Sequence, residues 1–328
     1  FYYLRLRSYD AASSFIDQWL RDVAVFWRTW ESDAKDHRLV ERYWKQLALP
    51  VDEQGRPRWP RHVREAAVTG SDFHFRMGTD LTFLFAVTDD DAFRDELELG
   101  RKSATALVPG QFEHRGVVVQ TLVSDRQEVR QHVARLGGLT IVSNSPVAIR
   151  RVIDVIRHQA PSLADTPEFR LMRGLFPTES PAEDALLFLS ESFLREQFSP
   201  RHRTLVRRRQ EELDATTMAT AKALYEAWRK GEKPRGSPSS WQVPILERPL
   251  THITKDEEQW YHEFVEAYRR EWKPYIAPMA WRVQIHTRRR RSTSIFATPS
   301  IPGRSDGVVR SSAASTRKKL RPSRAAEM

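Results

Sequence analysis

The segment between positions 70 and 80 combines residue types that could carry catalysis or bind a metal. Asp72 and His74 alternate within it, Asp80 closes it, and His62 precedes it by eight residues. Carboxylate and imidazole groups can share a divalent cation or exchange protons with a substrate, so Asp72, His74 and Asp80 are candidates for a metal site or an acid/base pair. A structural interpretation is also open, in which Asp72 caps a long hairpin connection and Asp80 closes it.

A second candidate is the sequence Ser143-Asn144-Ser145-Pro146, at a predicted strand-to-helix turn. Backbone N–H groups at a helix start can bind an anion, whereas a serine at the same place can cap the helix instead. The sequence contains no cysteine and no H-E-x-x-H, EF-hand, G-x-G-x-x-G, P-loop or G-x-S-x-G pattern. We therefore predict no cofactor, and we expect binding rather than catalysis.

Tryptophan is abundant, with ten residues in the chain. Six of them lie on predicted helices, namely Trp19, Trp27, Trp30, Trp44, Trp260 and Trp272. Aromatic stripes at helical spacing usually bury a helix against a sheet, but they can also bind an apolar ligand or lie at a membrane interface. Aromatic residues that prove exposed and contiguous would favour the binding interpretation.

The apolar periodicity predicts the elements that must position these residues. Helices are predicted at about 10–30, 36–47, 89–99, 125–136, 146–158 and 199–230, with another beginning after Thr254, and Pro161 to Phe169 predicts a turn that leads into a short helix. Strands are predicted at about 1–7, 63–69, 80–88, 117–124, 139–144 and 185–190, and Pro109-Gly110 predicts a turn. The strand at 80–88 is apolar on both faces, which favours a central position. Residues 1–7 have the pattern of a strand whose neighbouring strand is missing upstream of Phe1, so we expect the chain to be a fragment.

Strands and helices that mix without regular alternation predict an α+β fold, with a mostly antiparallel sheet and helices packed on one face. Residues 1–200 are predicted to form this α+β domain. Residues 201–285 are predicted to be a helical extension, with a Gly/Pro/Ser linker at 231–240. Residues 286–328 lack apolar periodicity and are predicted to be a disordered basic tail.

The net charge of +10 is local rather than spread. Residues 286–328 contain eleven Lys or Arg against two acidic residues, so the remaining 285 residues are nearly neutral. A basic tail could bind nucleic acid non-specifically or contact an anionic membrane surface. Alternatively it has no evolved function, since a GC-rich gene read out of frame has the same composition. No apolar run exceeds seven residues, so no transmembrane segment is predicted.

Short motifs between residues 63 and 200 resemble an uncharacterised bacterial family, a domain of unknown function in larger exported or membrane-anchored proteins. The motifs are Val68-Thr69-Gly70-Ser71-Asp72, Gly78-Thr79-Asp80-Leu81-Thr82, Ile141-Val142-Ser143-Asn144-Ser145-Pro146, Arg150-Arg151-Val152-Ile153 and Pro161-Ser162-Leu163-Ala164. The resemblance implies an extracytoplasmic or membrane-associated location in a bacterium. It supplies no catalytic residue.

The leading functional hypothesis is a non-catalytic extracytoplasmic domain that binds a partner protein or an envelope component. One alternative is a metal-dependent or acid/base hydrolase that uses Asp72, His74 and Asp80 in the 70–80 loop. The other alternative is nucleic-acid binding through the basic tail, which a truncated chain ending at residue 285 would test.

Overall fold

A computed structural model describes residues 1–8, 12, 38–102, 107–125, 127–181, 183–232, 243–272, 276–286, 291–297 and 309–312. For residues 272, 285–286, 291–297 and 309–312 it describes the backbone alone. The predicted helix at 10–30, apart from Ala12, and most of the predicted linker at 231–240 lie outside these ranges. The predictions for these two segments therefore stay predictions.

The described residues form eleven strands and seven α-helices. The strands are β1 (Tyr2–Leu6), β2 (Val63–Gly70), β3 (Thr82–Val87), β4 (Leu107–His114), β5 (Val117–Ser124), β6 (Arg130–Leu136), β7 (Leu139–Ser143), β8 (Ala185–Leu189), β9 (Met279–His286), β10 (Arg291–Ala297) and β11 (Val309–Ser312). The helices are α1 (Leu39–Gln46), α2 (Asp90–Lys102), α3 (Pro146–Ile156), α4 (Pro167–Leu175), α5 (Glu191–Gln197), α6 (Pro200–Arg229) and α7 (Lys255–Ala267). The α+β class is confirmed.

The eleven strands form one sheet with the order β11-β10-β9-β8-β1-β2-β3-β7-β6-β5-β4. Every neighbouring pair is antiparallel. β3 lies between β2 and β7, so its predicted central position is confirmed. The prediction that β1 pairs with an upstream neighbour is wrong, because β2 and β8 occupy its two edges. β9, from the predicted helical extension, pairs with β8.

Helices cover both faces of the sheet rather than one. Consecutive strand residues point to opposite faces, so Ile141 and Val142 belong to different hydrophobic cores. The core on the first face includes Val142 and the sheet residues around Phe85, covered by α1, α2 and α5. The second face carries Ile149 of α3 against Ile141, and α4 packs there over Phe188. The prediction of helices on one face is corrected by α3 and α4, whose apolar residues cover the second face.

The predicted helix at 125–136 is wrong, because residues 130–136 form strand β6. Val129, Val133 and Leu136 have helix-like spacing in the sequence. β6 lies between β5 and β7 and is buried on both faces, so its apolar residues need not alternate. Gly137 and Gly138 both have positive φ, which fits the tight β6–β7 hairpin turn.

The predicted turn at Pro109 and Gly110 is also wrong. Both residues lie within β4, where Pro109 pairs with Leu122 and Gly110 with Thr121. β4 is the last strand at its end of the described sheet, and an edge strand tolerates proline because it needs partners on one side only.

Two stretches of the predicted disordered tail are strands. β10 pairs with β9, and β11 pairs with β10, so the sheet continues beyond the predicted end of the folded body. Residues 287–290, 298–308 and 313–328 lie outside the described part of the chain.

Helix α6 is the longest of the described helices, with thirty residues that span about 45 Å. The predicted start at residue 199 or 200 is confirmed, with Ser199 as the cap and Pro200 at the first helical position. Its buried residues are Pro200, His202, Thr204, Leu205 and Arg209, all within the first ten positions. From residue 210 to residue 229 no residue is fully buried, so the second half of α6 projects from the body of the protein.

Candidate functional site

The loop at 70–80 connects the end of β2 to the start of β3. Asp80 is fully buried and accepts hydrogen bonds from the Ser71 backbone N–H, at 3.1 Å to each carboxylate oxygen, and from the Ser71 hydroxyl. Burial raises the pKa of Asp80 to about 6, although the hydrogen bonds from Ser71 oppose that shift. Asp80 therefore closes the loop across its two ends, as the structural interpretation predicts.

Asp72 caps the turn that begins the loop. Its Oδ1 accepts a hydrogen bond from the His74 backbone N–H at 2.7 Å, which is the local pattern that the structural interpretation predicts. Its Oδ2 is buried and has no hydrogen-bond partner among the described residues. The nearest cationic atom to Oδ2 is Nη1 of Arg209, at 4.0 Å. Asp72 is thus a buried carboxylate whose charge is balanced by a residue of α6.

Arg209 fixes the first half of α6 to this loop. Its side chain is fully buried and donates hydrogen bonds to the carbonyl oxygens of Gly78, at 3.0 Å, and His74, at 3.3 Å. Arg209 also compensates the charge of Asp72, so its removal would leave a buried carboxylate without a counter-charge.

His74 stacks on His202 of α6, with ring centroids 5.5 Å apart and planes 25° apart. His202 is buried, and its Nε2 has no hydrogen-bond partner among the described residues. Burial, with smaller contributions from His74 and Arg209, lowers the pKa of His202 to about 3. Burial also lowers the pKa of His74, while Asp72 acts in the opposite direction. The His202 ring is therefore neutral at pH 7.

A network of neutral groups holds the other side of the loop. The Tyr43 hydroxyl donates to the Phe75 carbonyl at 3.0 Å and accepts from the Thr79 N–H at 2.8 Å. The Asn144 side chain donates to the Thr79 carbonyl at 2.9 Å and accepts from the Leu81 N–H at 2.7 Å. The loop is thus tied to α1 and to the β7–α3 turn.

The turn Ser143 to Pro146 has a structural role of its own. The Ser145 side chain accepts from the Ala148 N–H at 3.2 Å and so caps α3, as one of the two interpretations predicts. The hydroxyl groups of Ser143 and Thr82 are 2.7 Å apart across β7 and β3. Both serines are fully buried, so the turn does not present an open anion site.

The fold therefore brings Asp72, His74 and Asp80 into one loop, where each has a structural contact. No group of three His, Cys, Asp or Glu side chains in the described part of the chain is arranged to hold a metal ion. His62 does not join the loop, because all eight residues of β2 separate it from Ser71. A catalytic role for the three residues stays a prediction.

Sequence analysis missed His202 and Arg209, which complete this cluster from α6. They lie in an Arg-rich stretch that has the composition of a solvated helix face. The available signal was spacing, since His202, Leu205 and Arg209 follow each other at three and four residues and share one face of the helix.

His132 is another residue whose position differs from its sequence prediction. A predicted polar helix face places His132 and His158 at the surface. His158 is exposed, but His132 lies in β6, is buried, and has no hydrogen-bond partner for either ring nitrogen among the described residues. Burial, together with Arg130 and Arg150, lowers the pKa of His132 to about 3.

The second half of α6 exposes an apolar surface. Met218 and Trp228 are each 71% exposed, Tyr225 is 58% exposed, and the rings of Tyr225 and Trp228 stack at 6.0 Å. We name the residues Met218, Ala221, Leu224, Tyr225 and Trp228 the α6 stripe, because steps of three and four residues place them on one side of the helix.

Helix α7 covers the neighbouring part of α6. Arg208 forms a two-point ion pair with Glu257, at 2.6 and 2.7 Å, near the start of α7. The guanidinium of Arg203 lies 4.3 Å from the ring centroid of Phe264, near the end of α7. The two helices are therefore antiparallel. The predicted helix start after Thr254 is confirmed, and Thr254 forms a capping box with Glu257, so α7 stops short of the α6 stripe.

The fold and the site define an α+β protein with an eleven-stranded antiparallel sheet and one helix that projects an aromatic face. No family model, curated protein sequence or solved structure matches the chain. None of the described helices combines the length and apolar character that crossing a bilayer requires.

Proposed function

We propose that this protein is a non-catalytic binding module and that the α6 stripe is its protein-binding surface. The observation that carries the proposal is the exposure of Met218, Tyr225 and Trp228 on one side of a projecting helix. Met and aromatic residues are enriched at protein–protein interfaces, and Trp and Tyr are frequent hot-spot residues. The six helical tryptophans named from the sequence do not carry this proposal: Trp44 is buried, Trp260 is half-buried, and the side chains of the other four lie outside the described part of the chain.

A protein partner is favoured over a lipid surface. Glu211, Glu212 and Asp214 lie at the end of the stripe nearest the body. Glu211 and Glu212 are ion-paired with Arg207 and Arg248. Asp214 has no ion pair of this kind among the described residues, and it would be repelled by the anionic lipids to which basic amphipathic helices bind. An envelope protein therefore fits the stripe better than the bilayer itself.

The hydrolase alternative has less support. Asp72 is fully buried against Arg209 of α6, Asp80 is fully buried against Ser71, and His74 is stacked on His202. A substrate would have to displace α6 to reach Asp72. Nucleic-acid binding through the tail stays a prediction, because the tail side chains lie outside the described part of the chain.

An extracytoplasmic location forms part of the proposal and follows from the family resemblance. In the bacterium that makes the protein, external protease applied to spheroplasts should digest it while a cytoplasmic enzyme stays intact. Full protection of the protein in intact spheroplasts, with digestion only after lysis, would contradict this part.

The binding surface can be tested by photo-crosslinking in the same cells. The full chain would carry Tyr225→p-benzoylphenylalanine or, as a matched control, Ala223→p-benzoylphenylalanine. Positions 223 and 225 are 200° apart on the helix, so the two probes point to nearly opposite sides. We expect a discrete adduct from position 225 that is at least tenfold weaker from position 223. Equal yields from both positions, or no adduct from either, would contradict the proposed surface.

A further inference from the structure

We infer that a cleft between β5 and β6 binds a small amphiphile, one with an anionic head group and a single apolar chain. The cleft has a volume of about 670 Å³, within the range of about 300–1,000 Å³ that is usual for small-molecule sites. It lies at the Leu139 end of β7, whereas the 70–80 loop that holds α6 lies at the Ser143 end. The inference therefore goes beyond the function proposed for the α6 stripe and does not depend on it.

The cleft exists because β5 and β6 pair over only part of their length. Their register runs from Val123 opposite Arg130 to Gln120 opposite Val133. It does not continue to the first three residues of β5, which pair with β4 alone. The opening is bounded by the β4–β5 turn, the β6–β7 turn and the end of α3.

The two hairpins direct backbone polar groups into this opening. Each has a two-residue turn in which both residues have positive φ, namely Arg115-Gly116 and Gly137-Gly138. In such a hairpin the pair that flanks the turn exchanges hydrogen bonds, and the next residue of each strand points its N–H and C=O away from the hairpin partner. Val118 of β5 and Arg135 of β6 hold these positions, so a ligand head group can reach their backbone groups.

Two arginines give the cleft a positive charge. Arg135 and Arg157 both line it, and both side chains are exposed. Neither guanidinium forms an ion pair or hydrogen bond with the described residues. Guanidinium groups bind carboxylate and phosphate oxygens through paired N–H groups. The cleft therefore favours an anionic head group over a neutral or cationic one.

The acidic side chains near the cleft do not neutralise these arginines. Asp154 of α3 accepts a hydrogen bond from Nε of Arg115 at 3.1 Å, and its Oδ1 lies 2.9 Å from Nε2 of His114. Glu113 lies in β4 opposite Val118 and forms no ion pair with a described residue. Both guanidinium groups are thus available to a ligand.

Most of the remaining lining is apolar. Val117 and Val133 are buried, and Leu136, Leu139 and Ile156 are half-buried. An apolar chain that covers the half-buried side chains removes further hydrophobic surface from water. The charge and the lining together favour a carboxylate or phosphate group joined to an alkyl chain of medium length.

Isothermal titration calorimetry of the full chain tests this class of ligand, with each probe below its micelle concentration. Dodecanoate or dodecyl phosphate should bind saturably at one molecule per chain, and the tighter of the two identifies the head group. Acetate lacks the chain and dodecyltrimethylammonium has the opposite charge, so each should bind more weakly by about tenfold or more. No saturable binding of either anion would overturn the inference, as would equally tight binding of the cation.

The two arginines are tested by substitution. The double variant Arg135→Gln/Arg157→Gln should weaken binding of the preferred anion by about tenfold or more. Arg170→Gln, at an exposed arginine of α4, is the matched control and should leave the affinity unchanged. Thermal unfolding should be the same in the double variant and the natural chain, because both side chains are exposed. An unchanged affinity in the double variant would overturn the inference.

A dodecanoate probe with a diazirine on its alkyl chain locates the site. Peptide mapping of the full chain should find the adduct within residues 116–120, 133–139 or 156–157, and the double variant should lose it. An adduct within residues 218–228 would show that the alkyl chain binds the α6 stripe instead. That result would overturn the inference while leaving the stripe as a binding surface.

Discussion

The two halves of α6 use their residues in opposite ways. The first half buries polar side chains, among them His202 and Arg209, while the second half exposes apolar ones such as Met218 and Trp228. Burying a charged group costs free energy unless it is paired, and exposing large apolar groups gains nothing within the monomer. The difference indicates that the first half fixes the position of the helix, and that the second half is available for a partner.

The largest effect should come from breaking the buried half. Arg209→Ala removes the counter-charge of Asp72 and two hydrogen bonds to the loop carbonyls, and it should lower the free energy of unfolding by about 3–5 kcal/mol. Arg207→Ala, two residues away on the exposed side, should cost less than about 1 kcal/mol. Urea unfolding of both variants measures this difference. Equal losses would mean that the buried cluster does not fix α6.

Acidification should weaken the buried regions next. His132 and His202 have folded pKa values of about 3 against 6.5 in the unfolded chain, so between these values the unfolded state binds more protons. Their contribution to the free energy of unfolding is therefore complete above pH 6.5 and is lost as the pH falls below that value. The loss should be about 2 kcal/mol for each histidine at pH 5. Asp80 acts in the opposite sense. Because the pKa of Asp80 is raised in the folded state, the folded state takes up a proton at a higher pH than the unfolded state does. This proton uptake offsets about 1 kcal/mol of the loss of stability at pH 5.

These three groups together should cost about 3 kcal/mol between pH 7.5 and pH 5, and the lowered pKa of His74 adds to the loss. Urea unfolding at each pH measures it. His132→Leu should remove about 2 kcal/mol of this loss, because leucine takes up no proton. The substitution breaks no hydrogen bond to the described part of the chain. A stability that is constant over this pH range in the natural chain would contradict the assignment of neutral buried histidines.

A smaller effect should follow from the helix cap. Ser199 accepts a hydrogen bond from the His202 N–H at 3.1 Å, so Ser199→Ala should cost about 1 kcal/mol. Thr220→Ala, in the projecting half, removes only a hydroxyl bonded to the Thr216 carbonyl within the same helix and should change stability by less than about 0.5 kcal/mol. Thermal unfolding of the two variants compares the two halves directly. A larger loss of stability for Thr220→Ala than for Ser199→Ala would contradict the conclusion that the first half of α6 fixes the helix.

The smallest effect on stability should come from the α6 stripe. Trp228→Ser should change the free energy of unfolding by less than about 0.5 kcal/mol, because the side chain is 71% exposed. The same variant should lower the yield of the photo-crosslinked adduct from position 225 at least tenfold. Urea unfolding of the purified variant and crosslinking in cells measure the two quantities. A loss of stability as large as that of Arg209→Ala would show that the stripe belongs to the core.

Much of the local structure could be predicted from patterns of neighbouring residues. The bounds of α6, the cap at Thr254 and the central strand β3 follow from helix-capping residues and from an apolar run. β6 could not be predicted in the same way, because its apolar residues have helix-like spacing and its strand partners lie elsewhere in the chain. The Gly137-Gly138 turn was the signal for a hairpin.

The candidate site was predicted in part. Asp72 and Asp80 accept hydrogen bonds from residues two and nine positions away in the same loop, so their roles in closing it could be predicted from the local sequence. Arg209 meets Gly78 across a separation of 131 residues, and no pattern near either residue indicates that contact.

The sequence by itself determined the helices and strands with clear caps and periodicity, the nearly neutral body and the basic end of the chain. These properties depend on composition and on neighbouring residues. Only the tertiary structure decided which half of α6 is buried and which polar residues lie in the interior. Those outcomes depend on the sheet and on the 70–80 loop, whose residues are far from α6 in the sequence and meet it only after the chain has folded.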